Sequence, residues 1–140
     1  MDCCPNLGGS GGGAIFIFGG EIDVSGTIQA NGGTGQWFEN PASQGARTGG
    51  GGAGGSILLD AGTLNLGSGL VTANGGSTET LTGSPHFDGG AGGVGRIHLE
   101  YASLTGSTSP AADLLQATPT PTPTVTVTPT ITATATITAT

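Results

Sequence analysis

Apolar residues alternate with polar ones in Glu21-Ile22-Asp23-Val24 and Thr27-Ile28-Gln29-Ala30, and three short stretches align along the chain: Ala14-Ile15-Phe16-Ile17-Phe18, Ser56-Ile57-Leu58-Leu59-Asp60 and Arg96-Ile97-His98-Leu99-Glu100. A period of two places alternate side chains on opposite faces of an extended backbone, so each stretch predicts a strand. In every copy another apolar residue follows seven positions after the first Ile: Ile22, Leu64 and Leu104. The first two copies also share Ala-Asn-Gly-Gly, at 30–33 and 73–76. The third copy decays after Gly106, as terminal repeats often do.

Stacked in register, the copies form inward columns Ile15/Ile57/Ile97 and Ile17/Leu59/Leu99. The outward columns are then Phe16/Leu58/His98 and Phe18/Asp60/Glu100. Glycine at the corners reaches positive φ and lets backbones pass closely. The long glycine-rich connections, 32–55 and 75–95, read as loops on one side. No stretch before the C-terminal segment holds a helical period, and each Gly would cost a helix about 1 kcal/mol. The expected class is all-β: a glycine-rich parallel β-helix or solenoid of about three repeats, with an antiparallel β-sandwich as the alternative.

After Asp113 the chain carries no charge and no glycine. Every even position from 118 to 140 is Thr: Thr118, Thr120, Thr122, Thr124, Thr126, Thr128, Thr130, Thr132, Thr134, Thr136, Thr138 and Thr140. The organisation is therefore a loose N-terminal segment (1–10), a glycine-rich β repeat domain (11–113) and an extended Thr/Pro-rich tail (114–140). Extended, the tail lines one face with Thr and the other with Val125, Val127, Ile131 and Ile137. Pro119, Pro121 and Pro123 favour polyproline II up to Thr124, whereas the later Thr-Val and Thr-Ala runs suit a strand. The twelve Thr are candidate O-glycosylation sites of a mucin-like stalk. The four aliphatic residues are the candidate apolar face of a donor strand that pairs with a neighbouring copy.

The unit Gly-Gly-Ala-Ile-Phe-Ile-Phe-Gly-Gly-Glu-Ile-Asp-Val-Ser-Gly-Thr-Ile-Gln-Ala-Asn-Gly-Gly resembles the glycine-rich repeats of bacterial surface and secreted proteins with right-handed parallel β-helices. The Thr-Pro tail resembles the linkers such exoproteins carry. Members of that group range from adhesins to structural stalks, so the resemblance implies an extracellular or cell-surface location more than an activity.

Composition narrows the functions further. The chain has 30 Gly, two Arg, no Lys and a formal charge of −7, which gives phosphate-bearing nucleic acid or anionic membranes no basic patch. No apolar run is long enough to insert in a bilayer. No basic, apolar signal peptide opens the chain, so a secreted protein reads as a mature or truncated form. Cys3 and Cys4 are adjacent, a poor disulfide pair. They read as two thiols in a loose segment, with an intermolecular disulfide or a lipid-bearing cysteine as alternatives.

Several motifs match by glycine density alone. Residues 90–95 fit G-x-G-x-x-G, but the strand-like Arg96–Glu100 follows where a helix is required. Residues 8–12 fit G-x-S-x-G without the strand and helix of a nucleophile elbow. Residues 32–37 begin like a calcium-binding nonapeptide, yet Trp37 stands where Asp would be the ligand. Glu21 with Asp23, and Asp60 beside Glu100, read as a solvated outer face rather than catalytic pairs. His86 and His98 read as surface residues, and no Asn-x-Ser/Thr sequon occurs. Trp37 and Phe38 are candidates for carbohydrate stacking. No catalytic residue, metal ligand or cofactor is expected. The expected function is a self-assembling, O-glycosylated extracellular fibre or surface-layer subunit, its partners being copies of itself and covalent glycans. A carbohydrate-binding adhesin fragment is the alternative, and a polysaccharide-acting enzyme stands third.

Overall fold

The computed structural model describes residues 7–40, 45–79 and 86–118. It is built from strands, with no helix among the described residues. The main sheet joins β1 (Ala14–Asp23), β5 (Ser56–Thr72), β7 (Arg96–Ser109) and β8 (Asp113–Gln116) in that order, every neighbouring pair parallel. A short β2 (Ile28–Gln29) pairs with the far end of β5. A second sheet holds β3 (Trp37–Asn40), β4 (Gly45–Thr48) and β6 (His86–Phe87), with β3 and β4 antiparallel.

The repeat register is the one the sequence offsets dictate. Ile15 lies beside Ile57 and Ile57 beside Ile97; Ile17, Leu59 and Leu99 form the next column. Ile57, Leu59, Ile97 and Leu99 are buried, so both inward columns are core. The main sheet pairs its copies in parallel, which the sandwich of antiparallel hairpins would not do.

The seven-residue step from Ile15 to Ile22 poses a geometric problem. In a flat strand, residues seven apart point to opposite faces. On β5 the buried positions run Ile57, Leu59, Ala61 and then Leu64, Leu66, changing parity once. The main-chain groups change sides at the same place. Ser56 donates to the Gly13 carbonyl, and Val24 donates to the Asn65 carbonyl. Gly13 and Val24, an odd number of residues apart, thus both face β5. The switch falls where Gly20, Gly62 and Ala102 drop out of the pairing while the register on either side is unchanged. All three strands therefore bend together, and both arms turn their apolar columns into one core. Beyond the bend, Gly67 and Gly69 take φ of 66° and 69° where β5 bulges against β7.

The glycine-rich connections are not the loops expected from the sequence. Segments 7–13, 30–36, 49–55, 73–78 and 89–95 lie side by side and bond to one another through their backbones. Residues 49–55 show the rule. The N–H groups of Gly49, Gly52 and Gly55 donate to Gln36, Gly33 and Ala30. Those of Gly51 and Gly54 donate to Gly90 and Gly93, and the carbonyls of Gly50 and Ala53 accept from Gly9 and Gly12. Successive residues thus point in three directions, with a repeat of three. A β-strand has two such directions; three is the geometry of the polyproline II type, in which only glycine fits at crowded positions. A Cβ on Gly9, Gly32, Gly52, Gly76 or Gly92 would land on a neighbouring carbonyl. Glycine is needed there for close approach of backbones, while positive φ occurs only at Gly67, Gly69 and Gly106 among the described glycines.

Candidate functional site

The two ends of the main sheet differ. At the β8 end Ile97 and Leu99 are 2% and 1% exposed, and the outermost strand places Leu114, itself 53% exposed, beside Leu99. At the β1 end the same columns finish on Ile15 and Ile17, which are only half-buried although Ile57 and Leu59 beside them are fully enclosed. The outer face of β1 carries Phe16 and Phe18, 62% and 65% exposed. Residues 14–20 bear no charge. Because Gly13 faces β5 and the main-chain groups alternate, Ile15 and Ile17 bond to β5. Ala14, Phe16 and Phe18 then direct their N–H and C=O groups to the open edge. Natural edge strands are commonly protected by charge, proline or a covering segment. Among the described residues β1 has none of these over its first seven positions; its charges, Glu21 and Asp23, lie at its far end.

The opposite edge leads into the tail. β8 begins at Asp113 and carries the sheet a few residues into the segment assigned to the tail. Its last backbone bond runs from Ala117 N–H to the Tyr101 carbonyl, and the Gln116 side-chain amide donates to the next carbonyl, that of Ala102. Past Ala102, β7 has no strand on this side among the described residues. Thr118 is exposed. The other eleven candidate Thr, together with Val125, Val127, Ile131 and Ile137, lie outside the described residues, as do Cys3 and Cys4.

The outer face is polar in ladders. Asp60 does stack beside Glu100, and His98 sits 3.3 Å from both Glu100 and Asp113. Such half-exposed surface pairs contribute little to stability. Asn65 donates to Glu21 and accepts from Thr105, while the Asn31 side chain accepts the Asn74 backbone N–H and Asn74 accepts from Ser109. The contacts Asn65–Thr105 and Asn31–Asn74 join equivalent positions of successive copies, while Asn65–Glu21 and Asn74–Ser109 reach across by two residues. These bonds link neighbouring strands on the solvent side, as the aliphatic columns do inside.

Trp37 is 47% exposed and opens β3, with Phe38 next to it opposite Arg47; the pair belongs to a hairpin rather than the expected loop. Residues 96–100 form the start of β7, so the G-x-G-x-x-G match leads into a strand. Residues 8–12 lie within the glycine bundle, away from any strand-to-helix turn. Sequence reasoning missed the bundle. The signal that identifies it is glycine every third residue, as at Gly49, Gly52 and Gly55 or Gly89, Gly92 and Gly95. A comparison with family models, with curated proteins and with solved structures finds no match for this chain.

Proposed function

We propose that the protein is a non-enzymatic structural subunit, a short solenoid of about three coils that polymerises outside the cell and carries O-linked sugars on its tail threonines. The observation that carries this reading is the open β1 edge. Its unpaired backbone groups, half-covered Ile15 and Ile17 and exposed Phe16 and Phe18 are a liability in an isolated subunit and an interface in a polymer. The two edges are chemically different, and contacts between unlike surfaces that do not close make filaments. The uncharged tail supports a stalk or connecting role. At about 3.1–3.3 Å per residue, residues 118–140 span on the order of 70–75 Å. Neither partner site calls for a cofactor, a nucleic acid or membrane insertion.

Sedimentation and negative-stain electron microscopy of the natural protein test the assembly. Filaments that lengthen with concentration are expected, and monodisperse particles at high concentration sink the reading. Intact-mass spectrometry tests the sugars, since a mass equal to the bare 13.4 kDa chain removes them. A second reading, a carbohydrate-binding adhesin fragment, is favoured by the exposure of Trp37. Glycan binding that disappears in Trp37→Ala would establish it.

A further inference from the structure

We infer that copies stack head to tail, β1 of one pairing in parallel with β8 of another, while a layer of side chains closes the gap between their glycine bundles. This deepens the fibre reading and rests on it. Among the described residues, every exposed large apolar side chain except Trp37 lies on an end of the stack. Leu7, Phe16 and Phe18 are at one end, and Val94, Leu114 and Leu115 at the other.

The two strand edges fit in one register. Leu114 continues the column Ile17/Leu59/Leu99, so a β1 laid on β8 in the repeat register sets Ile17 beside Leu114 and Phe18 beside Leu115. Ile17 is half-buried and Leu114 is 53% exposed because each lacks a neighbour on one side. Here each supplies the other's. The backbone phase agrees. Ala117 donates to Tyr101, so alternation turns the main-chain groups of Leu114 and Gln116 away from β7. Opposite Ile17, Leu114 then bonds to Phe16 and Phe18, whose groups face outward on β1. A slip of one residue loses both fits. Asp113, the only charge on β8, sits 3.3 Å from His98 of its own copy.

The glycine rows 7–13, 49–55 and 89–95 give the second, independent observation. A Cβ on Gly9, Gly12, Gly51 or Gly54 would strike the backbone of the following row, and one on Gly49, Gly52, Gly89 or Gly92 that of the preceding row. The equivalent positions that face out of the stack are Ala91 and Val94 at one end, Leu7 and Ser10 at the other. Side chains thus return where no further row of the same copy has to fit; Gly13, at the corner into β1, stays glycine. They bar direct contact of row on row between copies. β8, with no glycine row beside it among the described residues, removes that clash. It sets 89–95 of one copy and 7–13 of the next two strand spacings apart, about 10 Å, the distance at which layers pack through their side chains. Val94 and Leu7 are the residues that fill it.

The test uses two full-length variants, both with Cys3→Ser and Cys4→Ser, one carrying Ile17→Cys and the other Leu114→Cys. They are mixed in equal amounts and gently oxidised, and the disulfides are mapped by mass spectrometry. Links between positions 17 and 114 are expected to exceed all others severalfold. Predominant 17–17 links overturn the inference in favour of edge-to-edge dimers. Filaments without a 17–114 link overturn it while leaving the fibre intact, and a parent chain that stays monomeric sinks the fibre reading as well. Should the cysteines block assembly, Val94→Asp decides. It is expected to leave the melting temperature of the dilute subunit unchanged and to raise the concentration needed for assembly about tenfold or more. An unchanged threshold overturns the side-chain layer between bundles.

Discussion

The hydrophobic sheet and the glycine bundle are two solutions to the same problem, packing three copies of one unit against each other. The sheet buries side chains: Leu59, Leu64, Leu66 and Val71 are wholly enclosed, and each contributes about 1.5–3 kcal/mol by leaving water. The bundle buries backbone. Its segments touch through N–H and C=O groups, each bond adding about 0.5–1.5 kcal/mol net. In the sheet an added or lost methylene meets side chains that can shift. In the bundle an added Cβ meets a carbonyl that cannot turn away. One region therefore tolerates substitution by degrees, and the other admits it at some positions and not at all at their neighbours.

The comparison breaks most sharply at Gly52, whose Cβ would fall on the Ser10 carbonyl. Gly52→Ala is expected to destabilise by about 3 kcal/mol or more, enough to abolish the cooperative thermal transition. A melting temperature within a few degrees of the parent would mean that the segments are not in contact. Leu59→Ala, on the sheet side, is expected to cost about 2–5 kcal/mol by denaturant titration. Asn31→Ala removes the acceptor of the Asn74 backbone N–H and is expected to cost about 0.5–1.5 kcal/mol in the same assay. Gly93→Ala lies at the other extreme. Nothing approaches a Cβ within 4 Å there, and the bundle does not hold this residue at positive φ. Neutrality or a gain of about 0.4–1 kcal/mol is expected, through the unfolded chain. A Gly93→Ala protein as unstable as Gly52→Ala would erase the distinction between inner and outer glycines.

How legible each region was follows from what it is made of. The columns Ile15/Ile57/Ile97 and Ile17/Leu59/Leu99 were readable because the third copy, Arg96-Ile97-His98-Leu99-Glu100, alternates and the other two align with it. The seven-residue step to Ile22, Leu64 and Leu104 was also visible, but its meaning, a shared bend at Gly20 and Gly62, needed coordinates. The bundle left no hydropathy trace because its contacts involve no side chains. Only a three-residue spacing of obligatory glycines marks it, and the permissive glycines at 90 and 93 blur that spacing. The open β1 edge was inferred only in general terms, since the sequence does not say which copy lies outermost. Trp37 and Phe38 were expected in a loop; they pair with Thr48 and Arg47 instead, because a turn-rich stretch between glycine segments leaves room for a hairpin. The role proposed for the tail rests on the alternation in its sequence.

Glycine packing also bears on how the fold responds to temperature. Unfolding the five segments uncovers mainly peptide groups, and peptide exposure lowers the heat-capacity change where apolar exposure raises it. Calorimetry should give less than about 12 cal/mol/K per residue, the lower end for ordinary domains. The stability curve is then shallow and broad, and chilling removes little from contacts that never depended on shedding water from hydrocarbon.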